Sequence, residues 1–361
     1  MSGDGPEGPS ADGSGALRAG RNPLSETTHA LTEAEEASGI VPPPPLAERE
    51  GAGRDGAEMA RPAARRGLGW LVVAIPYLWL LALFLAPFLI VLKISFSQVA
   101  VAIPPYVPTF DWADGIAGWW EKVGTLSLDN YAWLIDDPLY WRSYVSSARI
   151  ALVSTLITLL VAYPMAYGMA RAPKAWRATL VMLVILPFWT SFLIRVYAWI
   201  GILKKDGLLN QLLLATGVID DPLTILNTQW AVYIGIVYSY LPFMVLPLYA
   251  ALERQDDTLL EAANDLGASP ITAFWTVTVP LSLPGVLAGS MLVFIPAIGE
   301  FVIPDLLGGS DTLMIGKTLW NEFFRNRDWP VSSAVAVILL LILVVPIIIF
   351  QQSQARRGEG A

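Results

Sequence analysis

The sequence predicts an all-α polytopic membrane protein, and three observations carry that prediction. Hydrophobic residues make up 55% of the chain and charged residues only 15%, with a mean hydropathy of +0.53, so much of its solvent is lipid. From residue 69 onward six apolar stretches reach the roughly 20 residues that a bilayer crossing needs, at about 70–92, 146–170, 179–203, 229–251, 283–303 and 331–350. A polar segment with its own helix caps, 258–280, separates the fourth stretch from the fifth.

Residues 1–66 are rich in Gly, Ala, Pro, Ser and Glu, include the proline run 42–45 and show no apolar period able to bury a core, which predicts a disordered tail. The formal charge of −8 is largely its property, since residues 1–60 hold 11 Asp and Glu against 4 Arg. No basic stripe remains to suit a nucleic acid. With zero Cys and a single His, His29 in the tail, neither a metal site nor a cofactor is expected. A signal peptide would place its apolar run within about 30 residues of the start, whereas the first such run here begins at Trp70.

The expected membrane-spanning body covers 67–351, with a short tail over 352–361. Each span contains proline: Pro76 and Pro87, Pro164, Pro187, Pro242 and Pro247, Pro296, and Pro346. In a bundle, neighbouring helices can satisfy the carbonyls that proline frees, so six kinked helices are expected. Arg61, Arg65 and Arg66 before the first span, and Arg171, Lys174 and Arg177 after the second, favour a cytoplasmic N-terminus. Six crossings then bring the C-terminus, with Arg356 and Arg357, to the same side. The connection 93–145, with Trp112, Trp119, Trp120, Trp133 and Trp141, is expected to lie on the outer membrane surface.

Within 258–280, Thr258 and Glu261 have the spacing of a capping box, Gly267 suits a left-handed helix stop, and Ser269-Pro270 restarts a helix. Leu259, Leu260, Ala263 and Leu266 share an apolar face, with Ala262 and Ala263 small enough for close docking. Glu261-Ala262-Ala263, Gly267 and Val279-Pro280 together resemble the EAA loop of the membrane-spanning permease subunits of bacterial ABC importers. That resemblance implies a cytoplasmic coupling helix, with Glu261, Ala262, Ala263, Leu266 and Gly267 against a separate ATP-hydrolysing subunit. It also implies a second permease subunit, two ATP-binding subunits and an external solute-binding protein as partners, in the bacterial inner membrane. The plainer alternative is a capped surface helix in which Glu261 only caps.

Catalytic residues are not expected. Gly316-Lys317-Thr318 ends like a phosphate-binding loop, but Asp311 stands where the leading glycine is required. ATP hydrolysis is therefore assigned to another chain. Ionisable residues inside a bilayer cost about 2.5–3.5 kcal/mol on insertion scales and point to function; Arg195 in the third span and Glu300 near the outer end of the fifth stand out. The runs PFWTSFLIRVYAW, FIPAIGEFVIPD, VIPDLLGG and MIGKTLWNEFF resemble the B-type polyamine permeases over about 70–350. The resemblance implies a spermidine or putrescine path past Glu300, Asp305 and Arg195, with Trp189, Tyr197, Trp199 and Trp320 as candidate aromatic faces. A mutual salt bridge between Arg195 and Glu300 is the competing reading. Arg149 is expected to snorkel, and Gly285 and Gly289 to serve helix packing. Alternative functions are import of another small organic solute, such as an amino-acid-like one, an ATPase-independent secondary transporter, or a channel or scaffold.

Overall fold

A computed structural model describes residues 69–358; the expected tail over 1–66, with His29, lies outside the described residues. The chain divides into two units between Trp79 and Leu80, and the hydrophobic core belongs wholly to the second. Four continuous helices are long and apolar enough to cross a membrane: α1 (Val73–Ser95), then the helices spanning Pro138–Arg171, Gln229–Glu253 and Pro270–Ile298. Two of the six expected crossings take other forms. A pair of helices bent by 89° occupies the third, and the last contains a shorter apolar helix, Trp329–Val344.

In α1 a π-helical turn, Leu81–Leu85, precedes Pro87, which has no N–H to return to the carbonyl a turn back. After α1 the chain forms a short hairpin, β1 (Gln98–Val99) antiparallel to β2 (Tyr106–Val107), with Gln98 opposite Val107 and Val99 opposite Tyr106. Two short helices follow, α2 (Gly115–Gly124) and α3 (Asp129–Asp136). Trp120, Trp133 and Trp141 are exposed in this region. Its footing is polar, since the Asn130 side chain donates to the carbonyls of Ser95 and Ser97 at 2.9 and 2.7 Å.

The core is three helices, α4 (Pro138–Arg171), α8 (Gln229–Glu253) and α10 (Pro270–Ile298), packed on one another. Lipid is as apolar as leucine, so close association must come from small residues that let backbones approach. On α4 most of the buried positions are small, Ser143, Ser147, Ala151, Ser154, Thr155, Thr158, Ala162, Ala166 and Ala170, with Tyr140, Ile150 and Met169 as the large ones, while Leu152, Leu156 and Leu160 are exposed. A Cβ on Gly285 would stand 2.6 Å from the Ala251 Cβ and 2.8 Å from the Pro247 oxygen, and one on Gly289 would stand 2.8 Å from the Met244 sulfur. The packing role expected for both glycines is what the structure shows.

The third span, expected as one kinked helix over 179–203, is broken into two. Helix α5 (Lys174–Ile185) tightens into a 3-10 turn at Leu186–Trp189, where Pro187 lacks a donor, and Thr190 and Ser191 are extended. Helix α6 (Phe192–Leu203) then restarts in a new direction, and α7 (Leu208–Ala215) follows. The fifth span also differs from its expected limits of 283–303. It starts at Pro270, passes a π-helical turn at Phe274–Thr278 before Pro280, and stops at Ile298. Glu300 therefore lies beyond the helix, ahead of α11 (Val302–Leu306). Helix α12 (Ile315–Trp320), a π turn at Asn321–Asn326 and the long α13 (Trp329–Gly358) complete the fold, with α13 packed along Ala86–Ser95.

Replacing Gly285 with Val should push α10 off the α8 backbone and cost about 1–3 kcal/mol, the usual range for overpacking. Thermal unfolding of the detergent-solubilised protein measures it, and an unchanged transition would contradict the close approach.

Candidate functional site

Two sites lie at opposite ends of α10. At its start sits α9 (Asp257–Asp265), none of whose residues is buried. The expected capping box is not formed: Asp256, two residues ahead of Thr258, is the N-cap and accepts from the Thr258 amide at 3.0 Å. A carboxylate at that position also faces the positive end of the helix, which the Thr258 hydroxyl could not match. Among the described residues no hydrogen bond or ion pair engages the Glu261 carboxylate. The stop matches expectation in full. Gly267 has φ +84, its N–H donates to Asn264 O at 2.9 Å, and the Ala268 N–H donates to Ala263 O at 3.0 Å, the paired bonds of a Schellman turn. Ser269 then caps α10, accepting from the Thr272 amide at 3.2 Å ahead of Pro270 at the first helical position.

This turn is tied to the bundle by polar contacts. Gln255 donates to Thr278 O at 3.0 Å, Arg171 pairs with Asp257 at 3.0 Å and Arg177 with Glu253 at 3.3 Å. The two ion pairs are solvent-exposed and contribute little to stability; they set position. Glu261 and Ala262 are exposed and Ala263 half-buried, while Leu259 and Leu266 stand 46% and 90% exposed. Leu259 and Leu266 are thus held out from the described residues, with Leu260 and Ala263 half-buried at the base of the same face.

At the other end of α10 a cavity of about 590 Å³ is lined by Phe188, Thr190, Phe192, Arg195, Ser239, Tyr240, Phe243, Pro296 and the segment 299–302. The break before α6 is what turns Arg195 into it. Arg195 and Glu300 share this cavity, yet among the described residues no ion pair joins them. Glu300 is buried and held by this chain alone: the Tyr240 hydroxyl donates to Oε2 at 2.6 Å, and the amides of Val302 and Ile303 donate to Oε1 at 3.0 and 3.4 Å. Gly316 shapes the same segment, for a Cβ there would lie 2.3 Å from Gly299 O and 2.7 Å from Glu300 O. The glycine of the Gly-Lys-Thr run thus serves close packing against the Glu300 backbone.

Of the other expected path residues, Trp320 comes nearest, stacked on the cavity residue Phe301 with ring centroids 4.4 Å apart. Asp305 is outside the lining and pairs with Lys317 at 3.7 Å. Trp189 and Tyr197 are exposed and do not line the cavity, and Trp199 packs edge-on against Tyr238. Two acidic-site residues were not legible. Tyr240 has no sequence relation to residue 300. Glu322 lies in a π turn outside every expected span, yet it is buried and accepts from the Tyr140 hydroxyl at 3.0 Å and from Asn326 at 2.8 Å. An acid flanked by Trp320, Phe323 and Phe324 was the available signal.

A family model described as the binding-protein-dependent transport system inner membrane component matches residues 152–358. The chain is 41% identical over 267 residues to the spermidine/putrescine transport system permease protein PotB of Haemophilus influenzae, covering 74% of this chain and 87% of that one. It is 46% identical over 211 residues to PotB of Escherichia coli K12, covering 58% and 76%. Among solved structures, a bacterial alginate ABC transporter in complex with alginate pentasaccharide-bound periplasmic protein has a chain that superposes with a TM-score of 0.58 at 16% identity, covering 80% of this chain and 94% of that one. At that identity the likeness speaks for the fold.

The Thr258 hydrogen bonds, the backbone one first, hold the Asp256 carboxyl below its ordinary value near 3.8. A depressed folded pKa means the cap is fully in place above that ordinary value and is lost as pH falls through the lowered one. Hydrogen exchange of a peptide over 254–266, corrected for intrinsic rates, should therefore show protection that fades on strong acidification. Asp256→Asn should keep it and Asp256→Ala should lose it at neutral pH; equal protection in all three would remove the cap assignment.

Proposed function

The chain belongs to the family of binding-protein-dependent transport system inner membrane components, and from that premise we propose that it is the permease subunit of an ATP-driven importer of spermidine- or putrescine-type polyamines. It is a multi-pass inner-membrane protein, not an enzyme in itself, with the ATPase a separate subunit. The identity of 41–46% to PotB proteins carries the substrate reading. The cavity supports it: Glu300 presents a carboxyl group held in place beside Tyr240, Phe243 and Phe301, and an ammonium group gains from a carboxylate and from aromatic faces, the latter worth about 0.5–2 kcal/mol each.

The transporter is completed by a second permease, two ATP-binding subunits and an external binding protein that delivers the solute. In this reading α9 faces the cytoplasm, as do both termini, and Glu261, Ala262, Ala263, Leu266 and Gly267 dock on an ATPase. Its uncovered apolar face and its rigid caps support that role. ATP-driven closure displaces α9, and α10 carries the displacement to the Glu300 end, so that access alternates between the two sides. The path past Glu300 includes the Phe301–Trp320 stack; Asp305, paired with Lys317, holds the adjoining loop at its mouth.

Gly267→Val should strain the left-handed turn while leaving membrane insertion intact. In the reconstituted transporter the expected outcome is ATPase activity that no longer responds to loaded binding protein, together with lost uptake; wild-type stimulation would refute the docking assignment. Glu300→Gln keeps the shape of the side chain and removes its charge. Putrescine uptake should fall about ten- to a hundredfold, as for a lost charge-assisted hydrogen bond, and a wild-type rate would mean that the binding protein alone selects the solute.

A further inference from the structure

The cavity holds a cation with nothing to bond. Arg195 is only 9% exposed, and its Nε and Nη1 have no hydrogen-bond partner. Its guanidinium lies 4.9 Å from the Phe188 ring centroid and 5.7 Å from that of Phe192; Nε and Nη1 are enclosed by the chain, which leaves Nη2 as the nitrogen that can meet an acceptor from the cavity. Arginine keeps its charge in proteins, and a buried charge with open donors is tolerated only when an acceptor reaches it. Glu300 is not that acceptor, being already engaged by Tyr240 and two backbone amides and out of ion-pair reach of Arg195. A protonated polyamine is not one either, since it brings only donors and positive charge.

We propose that the acceptor is a carboxylate of the second permease chain, carried on a membrane segment that covers this cavity, so that Arg195 anchors the permease–permease interface. The inference rests on the paired-permease reading above. Charge complementarity selects the occupant: Arg195 lines the cavity on a bed of Phe188 and Phe192, no carboxylate of the described residues pairs with it, and Thr190 and Phe243 at the cavity's edge are exposed. A carboxylate brought from outside also cancels the field of Arg195, which would otherwise repel a polycation from the neighbouring Glu300. One contact thereby completes the interface and makes the cavity passable.

The test uses the full transporter, co-expressed with its second permease and ATPase subunits. Phe192, or Thr190 as a second position, is replaced by the photoreactive p-benzoylphenylalanine and irradiated in membranes. The expected adduct joins the second permease within a segment that carries Asp or Glu. Arg195→Met should reduce recovery of the second permease by on the order of a hundredfold, the scale for one partner of a buried pair. Replacing the mapped carboxylate by an apolar residue of similar size should restore recovery in the Arg195→Met background, which a purely structural role of Arg195 within its own chain would not allow. Adducts confined to this chain or to lipid overturn the proposal. So does an Arg195→Met transporter that assembles normally, whether it transports as wild type or loses uptake; the latter would place a solute oxygen on Arg195. Recovery of the second permease is read without solute, so failure of the polyamine reading, seen as absent putrescine uptake by the wild type, remains a separate result.

Discussion

The direct approach of α10 to the α8 backbone at Gly285 and Gly289 is the contact on which the rest of the structure depends. With Pro247 O, Leu248 and Met244 where side chains would otherwise stand, α10 cannot shift along or roll on its neighbour without losing the fit. Its length, about 1.5 Å per residue over the helix Pro270–Ile298, carries it across the thickness of a bilayer. One end is joined to α9 through the Ser269 cap and the other to the Glu300 segment through Gly299. In the proposed mechanism, rigid packing in the middle is what would turn a displacement at one site into a displacement at the other.

Irregular backbone appears where that rigid core meets the sites. The extended Thr190 and Ser191, the stop at Ile298 and the π turn holding Glu322 all leave backbone groups outside regular helical bonding. Membranes tolerate such breaks only where protein or a cavity surrounds them. Here Glu300 accepts the amides at the start of α11, Ser147 accepts the Ile315 amide at 2.7 Å, and Gly316 admits the Gly299 and Glu300 carbonyls at close range. The stop at Ile298 is backed by Gly316 and the turn holding Glu322 by Tyr140, both distant along the chain.

The two buried charges of the cavity are treated differently by this one chain. Glu300 receives a short tyrosine bond and two amides, so both of its carboxyl oxygens are engaged by this chain. Arg195 receives aromatic faces, and its enclosed Nε and Nη1 have no hydrogen-bond partner. A carboxylate with its own partners is a stable fixture, whereas an unmatched guanidinium marks the place where the chain depends on something outside itself. The exposed face of α9 is the apolar counterpart of that dependence.

The four continuous spans, the helical turn closed by Gly267 and the restart at Ser269-Pro270 were legible in the sequence, because hydropathy and cap chemistry are local properties that context rarely reverses. Arg195 and Glu300 were legible for a related reason: charge is rare in a stretch meant for lipid. Legibility ended where distance along the chain ended. Asp256 outcompeted Thr258 as the cap because the exit of α8 sets where α9 begins. The third span broke at Thr190 and Ser191 because Pro187 weakened it and the bundle had room for the turn. Tyr240 reached Glu300, Lys317 took Asp305, and Gly316 met the Glu300 backbone only because α8, α10 and the connection after it converge at one end. No residue spacing encodes such meetings, since they are fixed by how helices pack; composition and caps belong to the sequence, and the pairing of its charges belongs to the fold.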